Sequence, residues 1–352
     1  MAKRRLLPVI VLLALSGATV AAGQSPPAGL KCGDTITADT VVDRDLTGCK
    51  NNGLLIGADD ITLDLNGHTI SGDGKSRVRC PGDQICNVGV ANDGHSGVTI
   101  RNGTVRGFGV GAGAFGARDN RFVKLTASGN RFFGLLFGGS ARILIRDNSA
   151  SGNPRPDGDG LGVFGSHDVR IVGNSLSRNG QIGMHVQESP RTLIKGNVVA
   201  GNGDFGILLD SGRDQLRRNR FARNGVAAIQ LGAGSRNVIA DNRIRGGGEG
   251  IGLEKSRDTV VVRNVIVGVR HDGIRLGMWD PPIASTRTVV RRNLVSDSGR
   301  DGYRVAQRDR SALLVSNVAR RSGDDGFDID SRSARLMRNR ALGSHDSAFE
   351  LP

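Results

Sequence analysis

Thr192-Leu193-Ile194-Lys195-Gly196-Asn197-Val198-Val199-Ala200, followed a few residues later by Gly206-Ile207-Leu208-Leu209, is one turn of a pattern that recurs to the end of the chain. Its marker is the asparagine. Asn148, Asn174, Asn197, Asn219, Asn242, Asn264, Asn293, Asn317 and Asn339 follow one another at intervals of 22 to 29 residues, most of them 22 to 24. A fixed period of that size signals a stack of similar units, each covering its neighbour.

Within a unit, a short apolar alternation precedes the asparagine, a second follows it, and a third follows a glycine-rich turn. Three strands of three to five residues fit this alternation, and no sustained helical period appears after the first residues. Three short parallel strands and three turns in 22 residues describe an all-β, single-stranded right-handed parallel β-helix. The columns support it. Ile145, Ile171, Ile194, Leu216, Ile239, Val261, Val290, Leu314 and Leu336 stand three residues before the asparagine; Leu176, Val199, Phe221, Ile244 and Ile266 are among those two residues after it. Leu135, Leu161, Met184, Ile207, Ile229, Ile251, Ile274, Tyr303, Phe327 and Phe349 line up in the third strand. Equivalent side chains would stack about 4.8 Å apart. Extending the ladder backwards through Leu125, Asn102 and Asn66 gives about eleven coils.

The ends carry other signals. Lys3-Arg4-Arg5, the apolar run Leu6 to Leu15 and the small residues Val20-Ala21-Ala22 read as a signal peptide over residues 1–22, so the protein is expected to be secreted, with no membrane span. Residues 23–97 hold all four cysteines and are expected to form an N-terminal cap with the first coils; 98–352 form the remaining β-helix. An even cysteine count in an exported chain implies disulfides. Of three pairings, Cys32–Cys49 and Cys80–Cys86 close the shortest loops and are preferred.

The chain carries 48 Lys and Arg against 34 Asp and Glu, a formal charge of +14. Much of the excess is arginine on the first two strands, among them Arg217, Arg218, Arg220, Arg243, Arg263, Arg292, Arg321 and Arg338. Such a flank suits a polyanion or is simply a solvated face. Nucleic acid is not expected, because no binding motif accompanies the charge in an exported chain. The four methionines and six histidines do not cluster, which argues against copper handling.

Outward positions of the third strand gather charge toward the C-terminal end. Glu254, Arg275, Arg304, Asp328 and Asp330 fall within a few coils, and Glu249, Asp272, Asp301 and Asp325 stand just before the repeat glycine. Strand parity would turn those four inward, so the expectation places them in the turn, at the groove's rim. Stacked charges must pair, bind an ion or bind a substrate. Ion pairs between coils are one reading and a polar groove for a glycan is the other. The longest coil inserts Met278-Trp279-Asp280-Pro281-Pro282-Ile283 beside Arg275, and Trp279, the one tryptophan, is a candidate sugar-stacking residue or a plug for the loop. His185 and His271 stand alone and carry little weight.

The strand-turn grammar resembles the parallel β-helix repeat of pectate lyases, alginate lyases, mannuronan C5-epimerases and related carbohydrate-active proteins. Cys32-Gly33-Asp34-Thr35-Ile36, Ile61-Thr62-Leu63-Asp64-Leu65-Asn66-Gly67-His68 and Gly323-Asp324-Asp325-Gly326-Phe327-Asp328-Ile329-Asp330 carry the likeness to exported bacterial members. The resemblance implies a pectin lyase-like fold and a glycan partner; the Asp-Pro-His signature of alginate epimerases is absent. Three functions follow. A lyase or epimerase acting on an acidic polysaccharide would use Arg275, Arg304, Asp328 and Asp330 as catalytic groups, with Trp279, Glu254, Asp272, Asp301 and Asp325 binding substrate and Asp328 and Asp330 holding a possible Ca²⁺. A glycoside hydrolase would need two carboxylates about 5 to 9.5 Å apart. A non-catalytic surface module would bind glycan along the rod. The sequence leaves the oligomeric state open.

Overall fold

The computed structural model describes residues 29–75, 86–154, 156–278 and 284–352. The signal peptide, Cys80 and Trp279 lie outside them. Among the described residues there is strand but no helix, and no helix long and apolar enough to cross a membrane.

The chain winds as a parallel β-solenoid with three faces. One sheet, called here the groove sheet, runs through fourteen strands from Asp34–Ile36 to Phe349–Glu350. A second runs through thirteen from Thr40–Val41 to Arg335–Met337, and a third through eight from Ser175–Ser177 to Arg340–Leu342. That is about thirteen turns rather than eleven. The first turn, with Asp34–Ile36 and Thr40–Val41, precedes Asn66 and carries no asparagine marker; a disulfide staples it instead. Cys32 and Cys49 form a disulfide with Cα atoms 5.4 Å apart, as expected; Cys86 is also disulfide-bonded.

Register confirms the apolar columns. Ile171 faces Ile194, Ile194 faces Leu216, and Leu216 faces Ile239 in the second sheet. Val199 faces Phe221 and Phe221 faces Ile244 in the third. These residues, with Ile207, Ile229, Ile251 and Ile274 of the groove sheet, form one continuous buried core. Burying each such side chain is worth about 1.5–3 kcal/mol. Tyr303, Phe327 and Phe349 stack face to face at the C-terminal end, with ring centroids 4.6 and 4.9 Å apart.

The asparagines form the expected ladder. From Asn148 to Asn339, each side-chain amide N–H donates to the amide oxygen of the next at 3.0 Å. The same oxygen accepts the backbone N–H of the asparagine before it, as Asn219 does for Asn197. The second amide hydrogen reaches a backbone carbonyl, Ile194 for Asn219. Each buried asparagine thus satisfies itself and a corner of the backbone. Two of the early assignments shift by one residue. Leu125 is in register with the ladder, its backbone N–H donating to the side-chain oxygen of Asn148, but its neighbour is Gly103, not Asn102. Asn102 and Asn66 occupy left-handed corners (φ 59° and 49°), a conformation that asparagine tolerates better than most residues.

Further polar columns escaped the sequence reading. Asn153, Asn179, Asn202 and Asn224, five residues after the first ladder, make a second one at 2.9–3.0 Å. Ser140, Ser166, Ser189 and Ser211 make a third, each backbone N–H meeting the next hydroxyl at 3.0–3.1 Å. At the corners, left-handed Asp and Arg residues pair across coils in two-pronged contacts: Arg142 with Asp119, Arg191 with Asp168, Arg263 with Asp241, Arg287 with Asp258 and Arg321 with Asp297. Part of the arginine flank is therefore already neutralised.

Candidate functional site

The groove sheet places the charged residues in columns. Gly252, Arg275, Arg304 and Asp328 face one another in successive coils. Asp272, Asp301 and Asp325 sit in the turn just before their strands, Glu249 opens its strand, and Glu249 and Asp272 line the cleft. Asp272, Asp301 and Asp325 are buried and Glu249 is half-buried, with Glu249 against Arg275 and Asp301 near Arg304. The cause is the glycine that follows each. At Gly250, Gly273, Gly302 and Gly326 a Cβ would meet the carbonyl oxygen of the next coil. The backbone kinks there, and two successive N–H groups both donate to that coil, as Gly273 does to Asp301 O and Ile274 to Gly302 O. The kink breaks strand alternation in the manner of a bulge and swings the acid outward. Part of the acid column has a structural task as well: Asp272, Asp301 and Asp325 accept the backbone N–H of Asp301, Asp325 and Ser347 at 3.3, 3.1 and 2.8 Å.

The two arginines sit differently. Arg275 is tied on three sides, to Glu249 at 2.8 Å, to Glu254 at 3.2 Å and to the carbonyl of Gly277. Burial works against its charge, but the two glutamates hold it on. Arg304 is looser, 3.3 Å from Asp328 and 3.9 Å from Asp301, with its side chain 27% exposed. Around them the carboxyls hold protons unusually tightly. Burial pushes Glu249 up to about 7 despite the pull of Arg275. Burial and then the neighbouring Asp272 push Asp301 to about 7; burial and then Asp330 push Asp328 to about 6. Asp272 is raised, chiefly by burial. Groups poised near neutrality in a cleft are suited to acid–base work.

A cleft of about 450 Å³ opens here, lined by Glu249, His271, Asp272, Arg275, Arg300 and Arg304. The structure therefore brings Asp272, Arg275, Arg304, Asp301, Asp328 and Glu254 into one neighbourhood. Asp330 lies at the edge of a separate hollow. Three carboxylates whose oxygens lie within 4.8 Å of one another are Asp301, Asp324 and Asp325, a group containing neither Asp328 nor Asp330. Sequence reasoning missed Arg300 and gave His271 little weight; both precede strands by a few residues, and only the coil-to-coil alignment of turns would have shown that they meet. His185 lies four coils below, against Phe164 at 4.9 Å between ring centroids, and burial lowers its proton affinity.

Residues 86–217 and 211–282 match the family model described as the right handed beta helix region. A search of curated protein sequences returns no match. Among solved structures, the Dettilon tailspike protein aligns over 87% of this chain and 62% of its own, at 14% identity and a TM-score of 0.52. An alginate lyase from Paenibacillus sp. str. FPU-7 aligns over 65% and 92%, at 16% identity and 0.52. PfbA, a surface adhesin of Streptococcus pneumoniae, aligns over 90% and 83%, at 9% identity and 0.52. Likeness at these identities speaks for the shared fold.

Proposed function

We propose, from the premise that this chain belongs to the right-handed β-helix family, that it is an exported glycan-processing protein whose cleft acts on an acidic polysaccharide by removing the proton beside a uronate carboxylate. The observation that carries the reading is the cleft itself, where Arg300, Arg304 and His271 stand beside two proton-avid carboxyls, Asp272 and Glu249. Export is supported by oxidised cysteines near the N-terminus.

That chemistry needs positive charge on the uronate carboxylate, because the electrons left by the proton spread into it. Arg304 is the residue suited to supply it, being loosely paired and partly exposed. Arg275, held by three partners, is assigned as a positioning residue that fixes Glu249 and Glu254. Asp272 makes no ion pair among the described residues and is assigned as the base. It takes the proton at C5; in a lyase the C4–O bond then breaks, its electrons leave with the oxygen, which takes up a proton, and the C4=C5 bond forms. Return of a proton to the opposite face would give epimerisation instead. An alginate lyase is among the structures similar to this chain, which accords with this substrate class on the same fold.

The test is incubation of the purified protein with alginate, pectate and neutral glycans while ultraviolet absorbance of the unsaturated product and the stereochemistry of the recovered polymer are followed. Product from a uronan, lost in Asp272→Asn and Arg304→Ala, is expected. Undiminished product in either variant removes that residue from the mechanism. One observation favours a second reading. Asp301 and Asp328 flank Arg304 with raised proton affinities, an arrangement two-carboxylate hydrolysis can use. New reducing ends without ultraviolet absorbance would select it, and binding without any turnover would select a glycan-binding module.

A further inference from the structure

Next to the cleft, where the chain leaves the groove sheet after Val305 and Ile329, lies a second and larger hollow of about 1040 Å³. It spans three coils and is walled by Arg308, Arg310 and Arg332, with Asp309 and Asp330 beside them. The three arginines are exposed and make no ion pair among the described residues. At the same corner lower in the rod Arg142, Arg191 and Arg287 are each clamped by an aspartate one coil away, although Arg213 and Arg236 are not. The left-handed residues of that corner run Arg191, Arg213, Arg236, Asp258 and Arg287, and the next is Ser311, which brings no carboxylate to the hollow.

The corner is built to hold still. The Ser331 hydroxyl donates to Asp309 O at 2.6 Å, the Ser333 hydroxyl to the same carbonyl at 3.1 Å, and the Ser311 N–H to the Ser333 hydroxyl at 3.0 Å. One carboxylate oxygen of Asp309 accepts the backbone N–H of Ser285. The other is buried with no partner, on a residue only 2% exposed. Burial pushes this carboxyl to about 7, so near neutrality a share of molecules carries a proton there that lacks an acceptor. A buried polar atom without a partner is uncommon in a folded protein.

We infer that this hollow is an oxyanion subsite, in which Arg308, Arg310 and Arg332 seat a carboxylate or sulfate carried by a glycan chain whose next residues lie in the cleft. Guanidinium groups suit such planar or tetrahedral oxyanions through paired N–H bonds. Asp330 borders this hollow, while Ala306, two residues before Arg308, lines the cleft, so one extended chain would pass from one to the other. The inference rests on the reading of the groove as a glycan site and adds the chemistry of the substituent.

The test is calorimetric titration of the full chain with three oligosaccharides of equal length: an oligouronate, a sulfated oligosaccharide and a neutral oligoglucan. Arg310→Ala/Arg332→Ala is compared with Arg310→Lys/Arg332→Lys and with the parent. The alanine variant should lose at least tenfold in affinity for one or both anionic ligands, about 1.4 kcal/mol, and less than twofold for the neutral one. The lysine variant should recover part of the loss, and melting temperatures should agree. Affinity for both anionic ligands within twofold of the parent, or an equal loss on the neutral ligand, overturns the inference. Inorganic sulfate separates the sources: if it binds the parent as tightly as the oligosaccharides do, the hollow takes a free ion and the inference is likewise overturned. Binding is read without turnover, so absence of any product would sink the proposed reaction while leaving this result to decide the subsite.

Discussion

The interior of the rod and its groove obey opposite rules. In the interior, each coil repeats its neighbour: Asn197, Asn219 and Asn242 make the same bonds at the same distances. In the groove sheet the outward column does not repeat, and Gln230, Gly252, Arg275, Arg304 and Asp328 succeed one another in a single file. Repetition is what stacking requires, because identical neighbours satisfy one another. A column free to vary is one that the stack does not need, and there charge is arranged for something other than cohesion.

The comparison can be strained first at the ladder. Replacing Asn242 by alanine leaves the backbone N–H and one amide hydrogen of Asn219 without an acceptor and frees the carbonyl of Leu216. A loss of about 2–4 kcal/mol in denaturant unfolding is expected. Asn339→Ala, in the partly exposed last coil, should lose about 1 kcal/mol or less. Equal losses at the two sites would mean that the ladder does not act through burial.

A smaller effect, of opposite sign, is expected at Asp214. It sits fully buried at a position where Asn120 and Asn237 stand in other coils, each donating an amide N–H to a backbone carbonyl. One oxygen of Asp214 has no partner, and burial raises its carboxyl to about 7. Because the folded value lies above the ordinary value of 3.8, the folded state binds more protons than the unfolded one between the two. Stability from this group is complete below about 4 and is lost as pH rises through 7. Asp214→Asn should therefore flatten that slope and stabilise the protein by about 1 kcal/mol above neutrality, read as a melting curve against pH. No gain at pH 8 would count against a buried charge at this site.

Least of all is expected from the corners. Arg263→Ala removes a two-pronged but exposed contact with Asp241, and solvent screening leaves such a pair little net effect, so thermal unfolding should shift less than at either site above. A larger loss in thermal unfolding would make the corner pairs part of the scaffold rather than a trim on it.

What the sequence disclosed follows the same division. The apolar columns and the first asparagine ladder were legible because period alone reveals them. The second ladder, from Asn153 to Asn224, shared that period at a five-residue offset and was legible in principle. The orientation of Asp272, Asp301 and Asp325 was not, since parity fails at the glycine kink, which depends on a carbonyl one coil away. Nor could spacing tell that Arg275 is locked while Arg304 is loose, which depends on where Glu249 and Glu254 end up. Cross-coil pairs such as Arg191 with Asp168 need the register of turns, and turns vary in length.

The most direct trial of the account is to measure Arg304→Ala twice, once for turnover and binding of a uronan and once for melting temperature. Turnover should fall by about 100-fold or more, with the melting temperature close to that of the parent. A lowered melting temperature with glycan turnover and binding intact would show that the groove charges are only another set of struts.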